Sequence, residues 1–94
     1  MSLRFEWDPT KAETNLVKHQ VSFAEAMTVF ADPLARIFPD EEHSTNELRE
    51  IIIGSSARQQ LILVNFTGID DHVRIISARK ATRQERKDYE ENVG

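Results

Sequence analysis

The feature that most constrains the fold is an apolar run over residues 61–66, which lies between two further stretches rich in branched aliphatic residues. A short apolar run bounded by turn residues is typical of a strand that is buried on both faces. Short polar segments connect the stretches, and short connections of this kind join antiparallel neighbours. We therefore predict an antiparallel meander of four strands, at residues 34–38, 47–53, 61–66 and 72–78.

Capping signals outside this meander predict three helices. Asp8 before Pro9 is typical of a helix start, because aspartate accepts from free backbone N–H groups and proline suits the first helical position. Two capping boxes, each a hydroxyl residue followed three positions later by glutamate, predict the other starts. The boxes are Ser22 with Glu25 and Thr82 with Glu85. The predicted helices run from Asp8 to about His19, from Ser22 to the stop at Asp32-Pro33, and onward from Thr82.

The order of these elements predicts the fold class. With a short strand at residues 3–6 in front, it indicates an α+β fold, in which an antiparallel β-sheet meander carries two N-terminal helices and one C-terminal helix. Ninety-four residues is the usual length of one domain, so we expect a single domain over residues 1–94.

Helical periodicity predicts which sides of the helices face the sheet. In the first helix Ala12 and Leu16 should face inward, while Asn15 falls in a polar stripe with Lys11 and Lys18. The last helix is polar nearly all round, with Tyr89 as its only large apolar residue before the tail. It therefore docks through Tyr89 alone, or it faces a ligand or partner.

Composition excludes several classes of function. The chain has no cysteine, so disulfides, thiolate metal sites and a cysteine nucleophile are ruled out, and a reducing, cytoplasmic location is expected. No apolar stretch approaches the roughly 18 residues of a membrane span, so no membrane partner is expected. His43 and His72 lack a second ligand cluster, and the nucleotide-loop and serine-hydrolase motifs are missing. We expect neither a metal nor another cofactor.

The charge is unevenly distributed. The net charge is −4, yet residues 73–87 contain six basic residues and one acid, whereas residues 39–50 contain five acids and one arginine. A polyanion responds to the local potential at close range, so the basic segment is a candidate binding surface. The alternative interpretation is two solvated faces of opposite sign.

Five separated motifs carry a resemblance to a known family. They are Phe5-Glu6-Trp7-Asp8-Pro9-x-Lys11; Asn15-x-x-Lys18-His19-x-Val21-Ser22-Phe23-x-Glu25-Ala26; Val29-Phe30-x-Asp32-Pro33; Glu47-x-Arg49 with Ile53-Gly54; and Arg74-Ile75-Ile76-Ser77-Ala78-Arg79-Lys80-Ala81-Thr82 followed by Glu85-Arg86 and Tyr89. Together they span nearly the whole chain and resemble the BrnT family, toxins of type II toxin–antitoxin modules.

The resemblance implies a fold, an activity and a partner. It implies a RelE-like fold and a ribonuclease that cuts RNA without a metal and inhibits translation and growth. It also implies a BrnA-like antitoxin with a ribbon-helix-helix part, with which the toxin forms a hetero-oligomer. Operator DNA would then be reached only indirectly, through the antitoxin. We expect the antitoxin to cover part of the basic surface.

The chain departs from the family at Gln20, where members usually have glycine after the Lys-His pair. Glycine there is the natural left-handed residue that ends a helix. Gln20 must therefore leave the helix by another path or accept strain of about 1 kcal/mol. The geometry of His19 depends on which of the two occurs.

Metal-free RNA cleavage requires a base, a cation that stabilises the transition state, and an acid. Arginine suits the middle role, because its planar fork binds phosphate oxygens in pairs. Arg79, before the last helix, is the first candidate, and Arg74 and Arg49 follow. Arg74 and Arg79 point to opposite faces of a regular strand, so both serve one site only if the strand has ended or bulged by Arg79. His19 is the candidate acid or base, since histidine titrates near neutral pH.

Each candidate also has a structural alternative. Arg79 can pair with an acid on the surface, Arg49 can balance the acids around it, and His19 can be stabilised by the helix dipole. The candidates for RNA binding are Lys18, Lys80, Arg83, Arg86, Trp7 and Tyr89. The two aromatic rings can stack on bases or serve packing, and Tyr89 can also protonate the leaving group.

Two hypotheses of different classes follow. The first is a metal-independent endoribonuclease toxin whose site is the cluster of arginine and lysine. The second is a non-enzymatic binding module, whose basic face docks an acidic partner protein or nucleic acid. The resemblance favours the first, and the lack of an unmistakable acid–base pair keeps the second open.

Overall fold

The computed structural model describes residues 3–42, 48–69 and 71–93 and confirms the predicted fold class. The order of elements is the predicted one: one strand, two helices, four strands and one helix. Their bounds are β1 Arg4–Glu6, α1 Pro9–His19, α2 Phe23–Thr28 with a 3-10 turn at Val29–Ala31, β2 Arg36–Pro39, β3 Glu50–Ser55, β4 Leu61–Ile69, β5 His72–Lys80 and α3 Arg83–Val93. Glu47, the predicted start of a strand, and His43 lie outside the described residues.

The five strands form one sheet in the order β1-β5-β4-β3-β2. Strands β2 to β5 pair antiparallel with their neighbours along the chain, which confirms the predicted meander. The pairing of β1 was not predicted: it lies parallel to β5 at the edge of the sheet. It covers only the first three residues of β5, where Glu6 lies opposite Arg74. Helix α1 packs along the rest of that edge of β5.

The three predicted helix starts are confirmed by their caps. The side chain of Asp8 accepts from the backbone N–H of Thr10, and the hydroxyl of Ser22 accepts from that of Glu25. One part of the capping box at Ser22 was wrong. The buried carboxylate of Glu25 does not serve the helix start; it accepts from the Ser56 hydroxyl at 2.7 Å and the Gln60 amide at 3.1 Å. These polar groups of the β3–β4 turn satisfy a carboxylate that is almost fully buried.

The hydrophobic core lies between the sheet and the two N-terminal helices. Ile62, Val64 and Phe66 of β4 point into it and meet Phe23 and Ala26 of α2. The intervening Leu61 and Leu63 are also buried, so β4 is covered on both faces as predicted. Deleting one of these side chains would cost about 2–5 kcal/mol, because the cavity left behind adds to the lost burial.

The predicted inner side of α1 was partly wrong. Ala12 packs against the core, but Leu16 remains 49% exposed, and Asn15, expected in the polar stripe, is buried. The amide of Asn15 donates to the carbonyl oxygen of Ala78 at 2.8 Å and accepts from its N–H at 3.0 Å. It thereby replaces the strand neighbour that β5 lacks beyond the end of β1. A helix face that must satisfy a strand edge needs a polar residue there.

Candidate functional site

A β-bulge decides where the basic residues of β5 point. The pairing with β4 shifts between Asn65 and Phe66, so that Ile76 has no partner of its own. Before the bulge Arg74 lies opposite Thr67, and after it Arg79 lies opposite Leu63. Thr67 and Leu63 are four residues apart and share one face of β4. The bulge therefore places both arginines on the same face, the one turned away from the core.

This second face is named the α3 face and is defined by Leu63, Asn65 and Thr67 of β4. Helix α3 covers its Leu63 end, where a cavity of about 310 Å³ is lined by residues of β2, β3 and α3. The described lining is Arg36, Phe38, Ile53, Leu63, Glu85, Asp88 and Tyr89. Arg36, which lies opposite Ile53, is thus a further cation on this face that was missed.

Arg49 lies at the opposite end of the α3 face. It directly precedes β3, two residues before Ile51, which pairs with Asn65. The backbone pairing continues to Arg49, whose carbonyl oxygen accepts from the N–H of Asp40 at 2.9 Å. If the alternation of β3 also continues, Arg49 faces the same side as Ile51, near Thr67. Arg74 lies opposite Thr67 and Arg79 opposite Leu63, four residues away along β4, which is about 13 Å at the rise of a strand. Arg74 and Arg79 thus lie towards opposite ends of the α3 face, and Arg49 belongs to the Arg74 end by this alternation.

Arg79 binds a carboxylate with both arms of its fork. Its two terminal nitrogens donate to the two oxygens of Glu85, at 2.8 and 2.9 Å. The hydrogen bond to Arg79 is the largest cause that holds the pKa of Glu85 at about 2, and the same bond raises the pKa of Arg79. Glu85 also accepts from the backbone N–H of Thr82, which confirms the capping box of Thr82 and Glu85. The same carboxylate thus starts α3 and neutralises Arg79.

Arg74 is paired less completely. Its Nε donates to Glu6 at 2.9 Å, and the other oxygen of Glu6 lies 2.7 Å from Nε2 of His72. The bond from Arg74 is the largest cause that lowers the pKa of Glu6. The side chain of Arg74 is 46% exposed. A second ligand can therefore reach its terminal nitrogens from solvent.

His19 and Lys18 lie beside the α3 face, across the edge of β5. Both line a cavity of about 240 Å³ between α1 and β5, together with the bulge residue Ile76 and with Ser77. Ser77 is two positions before Arg79, and its hydroxyl donates to Oδ1 of Asn65 on the α3 face at 3.4 Å. The cavity lined by His19 therefore adjoins the α3 face at the bulge.

Gln20 adopts the strained backbone conformation at the end of α1. Its backbone has φ 56° and ψ 32°, in the left-handed region, and its N–H donates to the carbonyl oxygen of Leu16 at 2.9 Å. The helix therefore ends as it would with glycine. His19 keeps the helical position that the resemblance implies, at the cost of strain in the next residue.

A buried polar chain supports the centre of the α3 face and was missed. Asp40 is 6% exposed and accepts from the amide of Asn65 at 2.8 Å, and Asn65 in turn receives the Ser77 hydroxyl. The one available signal was Asn65, a polar residue inside an apolar run. Such a residue in a central strand needs partners on its own face.

Comparisons with known proteins decide the family. A model described as the ribonuclease toxin BrnT of type II toxin–antitoxin systems matches residues 7–85. The chain belongs to the BrnT family. The 1.1 Å crystal structure of the Brucella abortus ribonuclease toxin, BrnT, is 26% identical, covers 87% of this chain and 100% of its own, and superposes with a TM-score of 0.68. None of the curated proteins compared with the chain is significantly similar to it.

The remaining candidates of this BrnT-family chain have different surroundings. Lys80 is exposed on the core side of the sheet, opposite Ile62, whereas Arg83 and Arg86 are exposed on α3. Trp7 is half-buried, and its ring packs edge-on against Phe23 at 5.9 Å. The three cations Lys80, Arg83 and Arg86 therefore do not all lie on the α3 face.

Tyr89 fastens α3 to the rest of the fold. Its hydroxyl donates to Asp32 at 2.8 Å, and burial followed by this bond raises the pKa of Tyr89 to about 12. Helix α3 is thus held by Glu85 as well as by Tyr89, whereas the sequence left open docking through Tyr89 alone or a face turned to a ligand or partner. A phenol with this pKa is a poor proton donor near neutrality.

The described residues contain no group of three or more histidine, aspartate or glutamate side chains placed to hold a metal ion. None of their helices is long and apolar enough to cross a membrane.

Proposed function

We propose that this member of the BrnT family cleaves RNA without a metal ion, and that its catalytic groups lie on the α3 face and at the adjoining end of α1. Arg79 stabilises the charge that develops on the phosphate, Arg74 and Arg49 bind neighbouring phosphate oxygens, and His19 transfers protons. The observation that carries this proposal is the bulge at Ile76, which turns Arg74 and Arg79 to one face.

The pairing of Arg79 with Glu85 supports its role. A carboxylate bound through two parallel N–H bonds occupies the geometry in which guanidinium binds phosphate. The pair is only partly buried, with 38% of Arg79 and 28% of Glu85 exposed, so an incoming phosphate can compete for the fork. Glu85 then keeps its bond to Thr82 while Arg79 turns to the substrate.

The positive charge around this centre binds the rest of the RNA. Lys18 lies next to His19, and Arg83 and Arg86 line the exposed side of α3. Lys80 binds RNA that passes over the end of β5. The contacts of Trp7 and Tyr89 favour packing roles for both, so we do not assign them to base stacking.

The partner follows from the family. A type II toxin acts within a module that includes an antitoxin, and we propose a BrnA-like ribbon-helix-helix protein that covers part of the basic surface and blocks inhibition of translation and growth. Bound to it, the chain forms a hetero-oligomer that reaches operator DNA through the antitoxin alone.

The second hypothesis, a non-enzymatic binding module, has one observation in its favour. Arg74 and Arg79 both already bind carboxylates of the same chain, so the basic segment carries less unbalanced charge than its composition indicates. A module of this kind would bind RNA or an acidic protein and leave RNA intact.

Substitution of Arg79 separates the two hypotheses. Arg79→Ala should abolish RNA cleavage and growth inhibition, because the transition state loses its main cation. The substitution also leaves Glu85 without its partner, so Arg79→Ala with Glu85→Ala serves as the stability-matched control. Cleavage is followed on single-stranded RNA in excess EDTA, and Tm is measured for each variant.

Three outcomes contradict the proposal. Wild-type protein that leaves RNA intact while it still binds its partner supports the binding module. Cleavage that needs an added divalent cation excludes the metal-free mechanism. Full activity in both Arg79 variants places the catalytic cation elsewhere.

A further inference from the structure

The cavity between α1 and β5 has a lining suited to anions. Its described lining contains the cations Lys11 and Lys18, the hydroxyl groups of Thr10, Thr14 and Ser77, and no carboxylate. The cavity under α3 differs, since Glu85 and Asp88 line it beside Arg36. Of these two cavities near the proposed centre, the one at α1 therefore attracts phosphate and the one at α3 does not.

Lys11 and Lys18 are spaced for an extended ligand. They are seven residues apart on α1, two turns of helix and about 10 Å along its axis, so they project from the same side. Thr14 lies between them on the same wall. Neither lysine forms an ion pair with a described residue, and both are exposed. Their charge is available to a ligand, in contrast to that of Arg79.

The cavity also adjoins the proposed catalytic surface. Ser77, which lines the cavity, donates a hydrogen bond to Asn65 of the α3 face. Arg79 follows Ser77 two residues later on β5. A strand of RNA with one phosphate at Arg79 can cross the edge of β5 at Ser77 and continue past Lys18 towards Lys11. No acidic side chain of the described lining lies on that path.

We infer that this cavity is a phosphate-binding subsite for the RNA that flanks the cleaved bond. Lys11 and Lys18 each neutralise one phosphate. The hydroxyl of Thr14 donates to a phosphate oxygen, and that of Ser77 does so in place of its 3.4 Å bond to Asn65. The inference rests on the proposed function for its ligand, and it adds Lys11, Thr14 and Ser77 to the residues that hold the substrate. It also commits the cavity to RNA, not to an acidic segment of a protein partner.

The test measures binding to RNA that cannot be cleaved. A single-stranded oligonucleotide with 2′-O-methyl groups throughout is titrated with wild type and Lys11→Gln between 50 and 200 mM salt. Each neutralised phosphate of a single strand contributes about 0.7 to the slope of log K against log salt, so Lys11→Gln should reduce that slope by about 0.7. Lys11→Arg should restore it.

Arg58→Gln is the control, since it removes one positive charge from an exposed position that lies outside the basic segment and lines neither cavity. Its slope should equal that of wild type. An equal reduction in both variants overturns the inference, because the effect would then depend on net charge alone. An unchanged slope in Lys11→Gln overturns it as well, and weaker binding of an acidic antitoxin in that case assigns the cavity to protein docking.

Cleavage of unmodified RNA separates this inference from the proposed function. If wild type cleaves RNA but Lys11→Gln keeps the wild-type slope and activity, the subsite fails and the catalytic proposal stands. If wild type does not cleave RNA but Lys11→Gln loses about 0.7 of the slope, the catalytic proposal fails and the RNA-binding cavity stands.

Discussion

Gln20 holds a backbone conformation that glycine adopts without strain. We expect Gln20→Gly to raise the free energy of unfolding by about 0.5–1 kcal/mol, because relief of left-handed strain exceeds the entropy that glycine adds to the unfolded chain. Urea denaturation measures the change. Glu13→Gly, at an exposed helical position, is the control and should lower stability by about 0.5–1 kcal/mol. A loss of stability in Gln20→Gly would mean that the glutamine makes a favourable contact that offsets its strain.

The ionisation of Glu85 makes the free energy of unfolding depend on pH. Its pKa in the folded protein is about 2, against an ordinary value of 4.5, so its contribution is complete above pH 4.5 and is lost as the pH falls towards 2. We expect Glu85→Gln to lower the free energy of unfolding at pH 7 by about 1–2 kcal/mol, allowing for solvent screening of a partly exposed pair. Denaturation curves at pH 7, 4 and 2.5 measure the difference from wild type, which should shrink with pH.

Glu90→Gln is the control for this pH dependence, since Glu90 is exposed on the same helix. It should follow the wild-type curve at each pH. A difference between wild type and Glu85→Gln that stays constant from pH 7 to 2.5 would show that charge is not the source of the effect.

At the scale of elements, α1 depends on the side chain of Asn15 for its position on β5. Asn15→Ala leaves both backbone groups of Ala78 buried without their partners, at a cost of about 1–3 kcal/mol for each unsatisfied group. We expect a total loss of about 2–4 kcal/mol by urea denaturation, reduced where water enters the gap. Thr14→Ala is the neighbouring control and should change stability by less than about 0.5 kcal/mol. Equal losses in both variants would contradict the special role of Asn15.

Helix α3 is attached through polar contacts at two points and buries little apolar surface of its own. Tyr89→Phe keeps the ring and removes the bond to Asp32, whose other acceptor bonds to Ser55 and Leu34 remain. We expect faster hydrogen exchange in residues 83–91, with a change in global stability of about 1 kcal/mol or less. Exchange that is unchanged in α3 but faster in the sheet would show that Tyr89 supports the core instead.

For the whole molecule, the order of elements could be predicted from the sequence because local signals agreed with the final fold. The apolar run of β4 and the caps at Asp8, Ser22 and Thr82 are recognised without any tertiary information. The parallel pairing of β1 could not be predicted, since three residues carry too little pattern to choose a neighbour. The exposure of Leu16 was missed because α1 turns Asn15, not an apolar residue, towards the strand edge.

The candidate site was less predictable than the fold. Residue type identified arginine as the suitable cation, but the separation of Arg74 and Arg79 indicated opposite faces in a regular strand. Only the bulge resolves this conflict, and nothing in the run of small and aliphatic residues around Ile76 indicates a bulge. The partners of the arginines, Glu85 and Glu6, also depend on tertiary contacts that no local pattern specifies.

The bulge at Ile76 has a consequence for relatives of different length. A β5 that is one residue shorter could pair regularly with β4 and still turn both arginines to one side, because four positions would then separate them. Ile76 is therefore not required for Arg74 and Arg79 to share a face. It adds local twist and forms part of the wall beside α1. Insertion or deletion at this single position can therefore change the cavity beside α1 while both arginines keep their face.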